Sequence, residues 1–148
     1  MENRFENFTY LIMKLSKVIQ RIKSLEVLDY GLKAIHVMCL FHLNSNPKGL
    51  TSNKLTALTL EDKAAISRAL NYLKDEGIVD YEPKKYNGPI TLTQKGKALA
   101  DEISKKADKA LSNIGLGITN EERTIMYKSL MIIDKEMNDY YFHLKEKK

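Results

Sequence analysis

Five residues, spaced as one face of a predicted helix, carry the side chains best suited to contact nucleic acid. Arg68 has the forked guanidinium that pairs with guanine, and Asn71 can pair with adenine or bind a phosphate. Lys63 supplies a positive charge that suits a phosphate oxygen. Ala64 and Ser67 are small and allow close approach to a groove. The set predicts a helix that contacts double-stranded DNA, and the alternative is an ordinary solvated helix surface.

The opposite side of this predicted helix is apolar. Its apolar residues have the i, i+3, i+4, i+7 spacing of one buried stripe, at Ile66, Ala69, Leu70 and Leu73. Asp62 is the better of two candidate N-caps, and Gly77 follows the helix where a left-handed residue is needed. The pattern therefore predicts a helix with one buried face and one exposed, polar face.

A shorter helix is predicted before this one. Thr51 and Ser52 are candidate N-caps, and Leu55 and Leu58 are expected to face inward. Both N-cap candidates are also expected to contact DNA phosphates, which position a protein on the duplex without specifying its sequence.

A β-hairpin is predicted after the polar helix, with strands over Ile78–Tyr81 and Ile90–Thr93 and a turn rich in proline, asparagine and glycine between them. Lys84 and Lys85 lie in this turn and are expected to contact phosphates. Helix, turn, helix and hairpin in this order make a winged helix-turn-helix, which places one helix in the major groove of DNA.

Long amphipathic helices are predicted at both ends of the chain. Residues 1–30 and 114–148 are expected to form dimerisation helices, and residues 31–113 the winged helix-turn-helix core with its linking helix. The apolar stripes of the terminal helices exceed what the winged element can cover, which favours a second copy of the chain as partner. The alternative is that these helices pack on each other within a monomer.

Composition excludes several classes of protein. The chain has 148 residues, a net charge of +5 and a single cysteine, which rules out an internal disulfide framework and fits a reducing, cytoplasmic location. The longest apolar run is too short to cross a membrane, and no secretion signal is evident. No glycine-rich phosphate loop or catalytic constellation is evident, so neither an enzyme nor a cofactor is expected.

His36, Cys39 and His42 are spaced three residues apart on a second predicted helix. On a helix His36 and His42 point about 120° apart, so the three side chains do not close on one metal ion, and no metal site is expected. An oxidation-sensing Cys39 is one interpretation. A small buried core residue is the other.

Two stretches of this sequence resemble the MarR family of bacterial transcriptional regulators. One consists of Lys63–Leu70 together with Leu73–Val79, and the other is Leu92-Thr93-Gln94-Lys95-Gly96, similar to the Leu-Thr-x-x-Gly step from wing to helix. The resemblance implies a mainly α fold and a cytoplasmic homodimer that binds near-palindromic operators, usually as a repressor. In this family DNA is often released when a ligand or an oxidant binds, so the resemblance also implies release by a small effector. A DNA-architectural or replication-associated protein without an effector is the alternative.

The wing departs from the family pattern, because Glu82–Gly88 contains no arginine to enter the minor groove. Readout is therefore expected to depend more on the recognition helix. The resemblance also places a ligand pocket near residues 32–36. Candidate lining residues, for a small apolar or aromatic effector, are Tyr10, Met13, His36, Met38 and Tyr72.

Overall fold

The computed structural model describes residues 4–147, apart from the side chain of Phe5. Residues 1–3 and 148, which belong to the predicted terminal segments, and the Phe5 side chain lie outside the described part. The fold is mainly α, as predicted, and contains one small antiparallel sheet. The elements are α1 (Arg4–Glu26), a 3-10 turn (Leu28–Tyr30), α2 (Ala34–Asn44), α3 (Ser52–Thr59), α4 (Lys63–Asp75), β1 (Val79–Asp80), β2 (Thr91–Leu92), α5 (Gln94–Leu111) and α6 (Asn120–Glu146).

The predicted starts of α3 and α4 are confirmed by their hydrogen bonds. The Thr51 hydroxyl accepts a hydrogen bond from the Lys54 amide at 3.2 Å, and the Asp62 carboxylate accepts one from the Ala65 amide at 2.7 Å. Thr119 forms the capping box of α6 with Glu122. These side chains satisfy amides that have no partner within the first turn of a helix.

The end of α4 is also as predicted. Gly77 has a φ of 68°, a conformation that glycine adopts without a steric penalty. The Ile78 amide then donates to the Leu73 carbonyl at 2.8 Å, and Ile78 is buried against the core. The chain thereby reverses and leads directly into β1.

Three boundaries or orientations differ from the sequence prediction. The apolar spacing predicts a first helix over residues 5–28 and a second over residues 32–43. Helix α1 instead ends at Glu26, because the chain tightens into the 3-10 turn. Helix α2 begins at Ala34, since the Lys33 amide donates to the His36 side chain at 3.0 Å and makes Lys33 the N-cap. Leu58, expected to face inward, is exposed. It lies about 60° around the helix from the fully buried Leu55, at the edge of the side of α3 that packs on the core.

The sheet contains a pairing that the sequence pattern does not reveal. Val79 pairs with Leu92 and Asp80 with Thr91, as a hairpin requires. Leu50 also pairs with Ile90, through two backbone hydrogen bonds of 2.9 and 3.0 Å. This bridge fastens the residue before the N-cap of α3 to the returning arm of the hairpin.

The chain divides into two compact units, one ending at Ala107 and the other beginning at Asp108. In the first unit the entire predicted stripe of α4 is buried. Three of its residues, Ile66, Leu70 and Leu73, pack in a core cluster with Val27, Leu32, Cys39, Leu40, Leu43, Leu55, Ile78, Val79, Ile90, Ala100 and Ile103. The second unit contains α6, whose described residues carry many exposed apolar side chains. None of the described helices is long and apolar enough to cross a membrane.

Gly96 in the first turn of α5 lies directly against the backbone of Ile78. A Cβ atom at this position would lie 1.9 Å from the Ile78 carbonyl oxygen. The Thr93 hydroxyl holds the same junction, since it donates to the Gly77 carbonyl at 2.6 Å and accepts from the Gly96 amide at 3.0 Å. Close approach of helix and strand therefore requires glycine here.

We expect Gly96→Ala to lower the free energy of unfolding by about 3 kcal/mol or more, because the methyl group displaces a buried backbone carbonyl. Urea denaturation followed by circular dichroism measures the change. Gly117→Ala is the matched control, since nothing lies within 4 Å of its added Cβ. Equal stability of the two variants would contradict this packing.

Cys39 lies in the core, with no exposed surface. Burial, together with the negative charge of Glu61, raises the pKa of its thiol to about 12. Burial also lowers the pKa of His36 and of His42, and the charges of Lys33 and Lys23 respectively add to this. Among residues 4–147 no three histidine, cysteine or acidic side chains lie close enough together to hold a metal ion.

We expect Cys39 to react slowly with thiol reagents at pH 8 in the native protein. The raised pKa keeps the thiol protonated, and only the thiolate is nucleophilic. In denaturant the pKa returns to about 8.5, and reaction becomes fast. Because the sequence holds one cysteine, a bulk colour assay reports on this residue alone. Fast native labelling would contradict the buried thiol and favour the oxidation-sensing interpretation.

Candidate nucleic-acid interface

The exposed face of α4 carries all five residues that the sequence assigned to it. Lys63, Ala64, Ser67, Arg68 and Asn71 are each exposed, and the opposite face is buried. The structure therefore brings these side chains together on one surface. The surface offers a guanidinium, an ammonium, an amide and a hydroxyl, which are the groups that hydrogen-bond to bases and phosphates.

The N-terminus of α3 lies beside this face. Thr51 and Ser52 are both partly exposed, and the Thr51 hydroxyl is occupied by the N-cap bond to Lys54. Ser52 lines a groove of about 260 Å³ between α3, α4 and the turn of the hairpin. The groove is lined by Ser52, Ser67, Leu70, Asn71, Tyr81, Glu82, Pro83, Lys85, Asn87, Gly88 and Ile90.

The wing, defined here as residues 81–90, is built from two successive tight turns. The Lys85 amide donates to the Glu82 carbonyl at 3.1 Å, and the Gly88 amide donates to the Lys85 carbonyl at 3.3 Å. Lys84 and Lys85 are exposed on these turns, and Lys85 reaches the groove beside α4. Both lysines therefore add positive charge to the wing itself.

Asn87 joins the tip of the wing to α3. Its backbone has a φ of 50°, a left-handed conformation in which asparagine is enriched. Its side-chain carbonyl accepts a hydrogen bond from the Asn53 amide at 3.3 Å. The sequence marks Asn87 as a turn residue, whereas its bond to a helix 34 residues earlier depends on the tertiary fold.

Tyr81 joins the base of the wing to α4. Its hydroxyl donates to the Asn71 side-chain carbonyl at 2.9 Å. The Lys74 ammonium lies 4.5 Å from the centre of the Tyr81 ring and also donates to the Tyr81 backbone carbonyl and the Asp80 carboxylate. Neither Tyr81 nor Lys74 is predicted from the sequence to lie at the interface, because helix periodicity does not predict contacts with the following hairpin.

The five residues expected to line an effector pocket are only partly brought together. The His36 and Tyr72 rings stack at 4.6 Å with an angle of 9° between their planes, and the Tyr72 hydroxyl donates to the Gly31 carbonyl at 2.9 Å. Met38 is half-buried, and its sulfur lies 3.0 Å from the Lys23 ammonium. Tyr10 and Met13 lie exposed on α1.

This chain is similar to known proteins in two respects, its match to a family model and its fold. Residues 30–88 match the model of the MarR family. None of the curated proteins matches the sequence at a significant level.

Solved structures resemble nearly the whole chain. A putative MarR-family regulator from Listeria monocytogenes, in complex with a 26mer DNA, has a TM-score of 0.80 and 19% identity over 99% of this chain and 96% of its own. The transcriptional regulator SlyA has a TM-score of 0.79 and 20% identity over 91% of this chain and 97% of its own. The S. aureus MepR–DNA complex has a TM-score of 0.76 and 17% identity over 88% of this chain and 97% of its own.

These matches agree with the element order and the winged helix-turn-helix described above. The family model covers α2, α3, α4 and most of the wing, and the structural likeness extends over the long helices at both ends. The chain is therefore similar to the MarR family over residues 30–88, and its described residues have the winged helix-turn-helix fold of the solved transcriptional regulators named above.

Proposed function

We propose that this chain is a sequence-specific DNA-binding transcription regulator that works as a homodimeric repressor in the cytoplasm, without enzymatic activity. The proposal is supported most directly by the exposed polar face of α4 beside the lysine-bearing wing. Two proteins of the same fold have been solved in complex with DNA. Thr51, Ser52, Lys63, Lys84 and Lys85 are proposed to contact phosphates.

Base reading is assigned to α4. Arg68 is exposed on the helix, and its guanidinium can donate two parallel hydrogen bonds to guanine. Ala64 and Ser67 precede it on the same face and are small enough to let the helix approach the floor of the major groove. The wing supplies lysines, which bind phosphates as point charges.

The homodimer is proposed from apolar surface that a single chain leaves exposed. On α1, Leu11, Leu15 and Leu25 are 49% to 69% exposed. On α6, Met137 and Tyr140 are 57% and 63% exposed. Such stripes favour partner helices, most simply those of a second copy. Two-fold symmetry would present two α4 helices to half-sites roughly 34–36 Å apart.

Release by a small apolar or aromatic effector completes the proposal. The stacked pair of His36 and Tyr72 offers an aromatic surface with a polar nitrogen, and Met38, Tyr10 and Met13 are the further candidates. The lowered pKa of His36 keeps its ring neutral near pH 7, which suits an uncharged partner. A DNA-architectural protein without an effector is the second candidate. The two lysines of the wing favour this candidate, because lysines bind phosphates without regard to sequence.

Selection of bound duplexes from random DNA tests the function. We expect an inverted repeat with half-sites one helical turn apart, bound at least about 10³-fold more tightly than random DNA. Light scattering of the free protein should give twice the mass of the 17.0 kDa chain. Binding without sequence preference would favour the architectural protein, and failure to bind any duplex at moderate salt would overturn both candidates.

Arg68→Ala and Lys85→Ala should weaken binding in different ways. We expect Arg68→Ala to cost about 1–3 kcal/mol for each half-site and to relax base preference at one position of each half-site. Lys85→Ala should weaken binding to all sequences equally and reduce the slope of log K against log salt by about 1 for each protomer, and thus by about 2 for the homodimer. Titrations of the selected duplex and of single-base variants, at several salt concentrations, measure both effects. Uniform weakening by Arg68→Ala would contradict its role in base reading.

A further inference from the structure

We propose that Asn71 positions the wing on α4 and does not read a base. Its carbonyl, together with Lys74 of the same helix, holds Tyr81 so that the wing lysines and Arg68 meet one DNA duplex as a single rigid surface. This inference rests on the proposed DNA-binding function and adds a division of labour among the exposed residues of α4.

Asn71 is already engaged within the protein. Its Oδ1 accepts the Tyr81 hydroxyl at 2.9 Å. Recognition of adenine requires both ends of the asparagine amide, the oxygen to accept from N6 and the nitrogen to donate to N7. The bond to Tyr81 fixes the plane of the amide and occupies one lone pair of the oxygen. This arrangement suits a side chain that positions the wing better than one that reads a base.

Lys74 holds the same tyrosine from a second direction. It lies three positions after Asn71, so the two side chains share one edge of α4. The Lys74 ammonium donates to the Tyr81 backbone carbonyl, lies 4.5 Å from the centre of its ring, and pairs with Asp80 at 3.2 Å. The Lys74 ammonium is therefore already paired with groups of the protein, and we do not assign it a phosphate contact.

The tip of the wing is held independently. The bond from the Asn53 amide to the Asn87 side chain fastens the tip to the first turn of α3. Lys84 and Lys85 lie between this point and Tyr81. A segment held at both ends loses little conformational freedom when it binds DNA. The entropic cost of binding is therefore smaller, and the affinity for DNA is higher. Of the two contacts that hold the wing, that of Asn87 is with α3 and that of Tyr81 is with α4.

Tyr81→Phe is the sharpest test, because it removes the hydroxyl and keeps the ring under Lys74. Because this hydrogen bond already exists before DNA binds, its net worth sets the upper limit of the loss, and we expect binding of the selected duplex to weaken by up to about tenfold for each protomer. The salt slope should fall by up to about 1 for each protomer, and Lys85→Ala should then have a smaller effect than in the wild type. Tyr30→Phe is the matched control. It removes a hydroxyl that donates to Glu102 at 2.7 Å on the α5 side of the chain.

Asn71→Ala separates positioning from base reading. We expect it to weaken binding as much as Tyr81→Phe does, to add nothing in the double variant, and to leave base preference unchanged at every position. A change of preference at one position would overturn the proposal, as would additive effects in the double variant or wild-type affinity and salt slope in Tyr81→Phe. If the wild type binds no duplex, the proposed function fails as well. If the wild type binds and Tyr81→Phe matches Tyr30→Phe, only the positioning role fails.

Discussion

Burial of the apolar stripe of α4 is the constraint on which the rest of the interface depends. Ile66 and Leu73 have no exposed surface, and Leu70 is 4% exposed. Each such side chain stabilises the fold by about 1.5–3 kcal/mol relative to exposure. A rotation of α4 about its axis would bring these residues to the surface, so the helix has one orientation. That orientation determines which residues face outward, and Arg68 is among them.

Backbone contacts join the elements beside α4 to one another. The pairing of Leu50 with Ile90 ties the start of α3 to the returning arm of the hairpin, and the contact of Gly96 with Ile78 seats α5 on the outgoing arm. The wing consequently starts and ends on a rigid frame, although its own strands are only two residues long. The contact between Tyr81 and Asn71 then relates this frame to the exposed face of α4.

Local chemistry explains which features could be predicted from the sequence. N-caps such as Asp62, the left-handed Gly77 and the spacing of the α4 stripe act within one turn of a helix, and all of them are confirmed. Contacts across elements, such as Leu50 with Ile90 or Asn71 with Tyr81, leave no periodic signal in a single sequence. Leu58 shows the same limit, since a short helix does not reveal how far its apolar side wraps.

Amide hydrogen exchange with and without the selected duplex tests the central claim most directly. If α4 and the wing form one DNA-binding surface, the duplex should slow exchange in the first turn of α3, in α4 and in residues 81–90 together, with half-saturation at one DNA concentration. Protection confined to α4, or protection of the wing at a separate DNA concentration, would contradict the account.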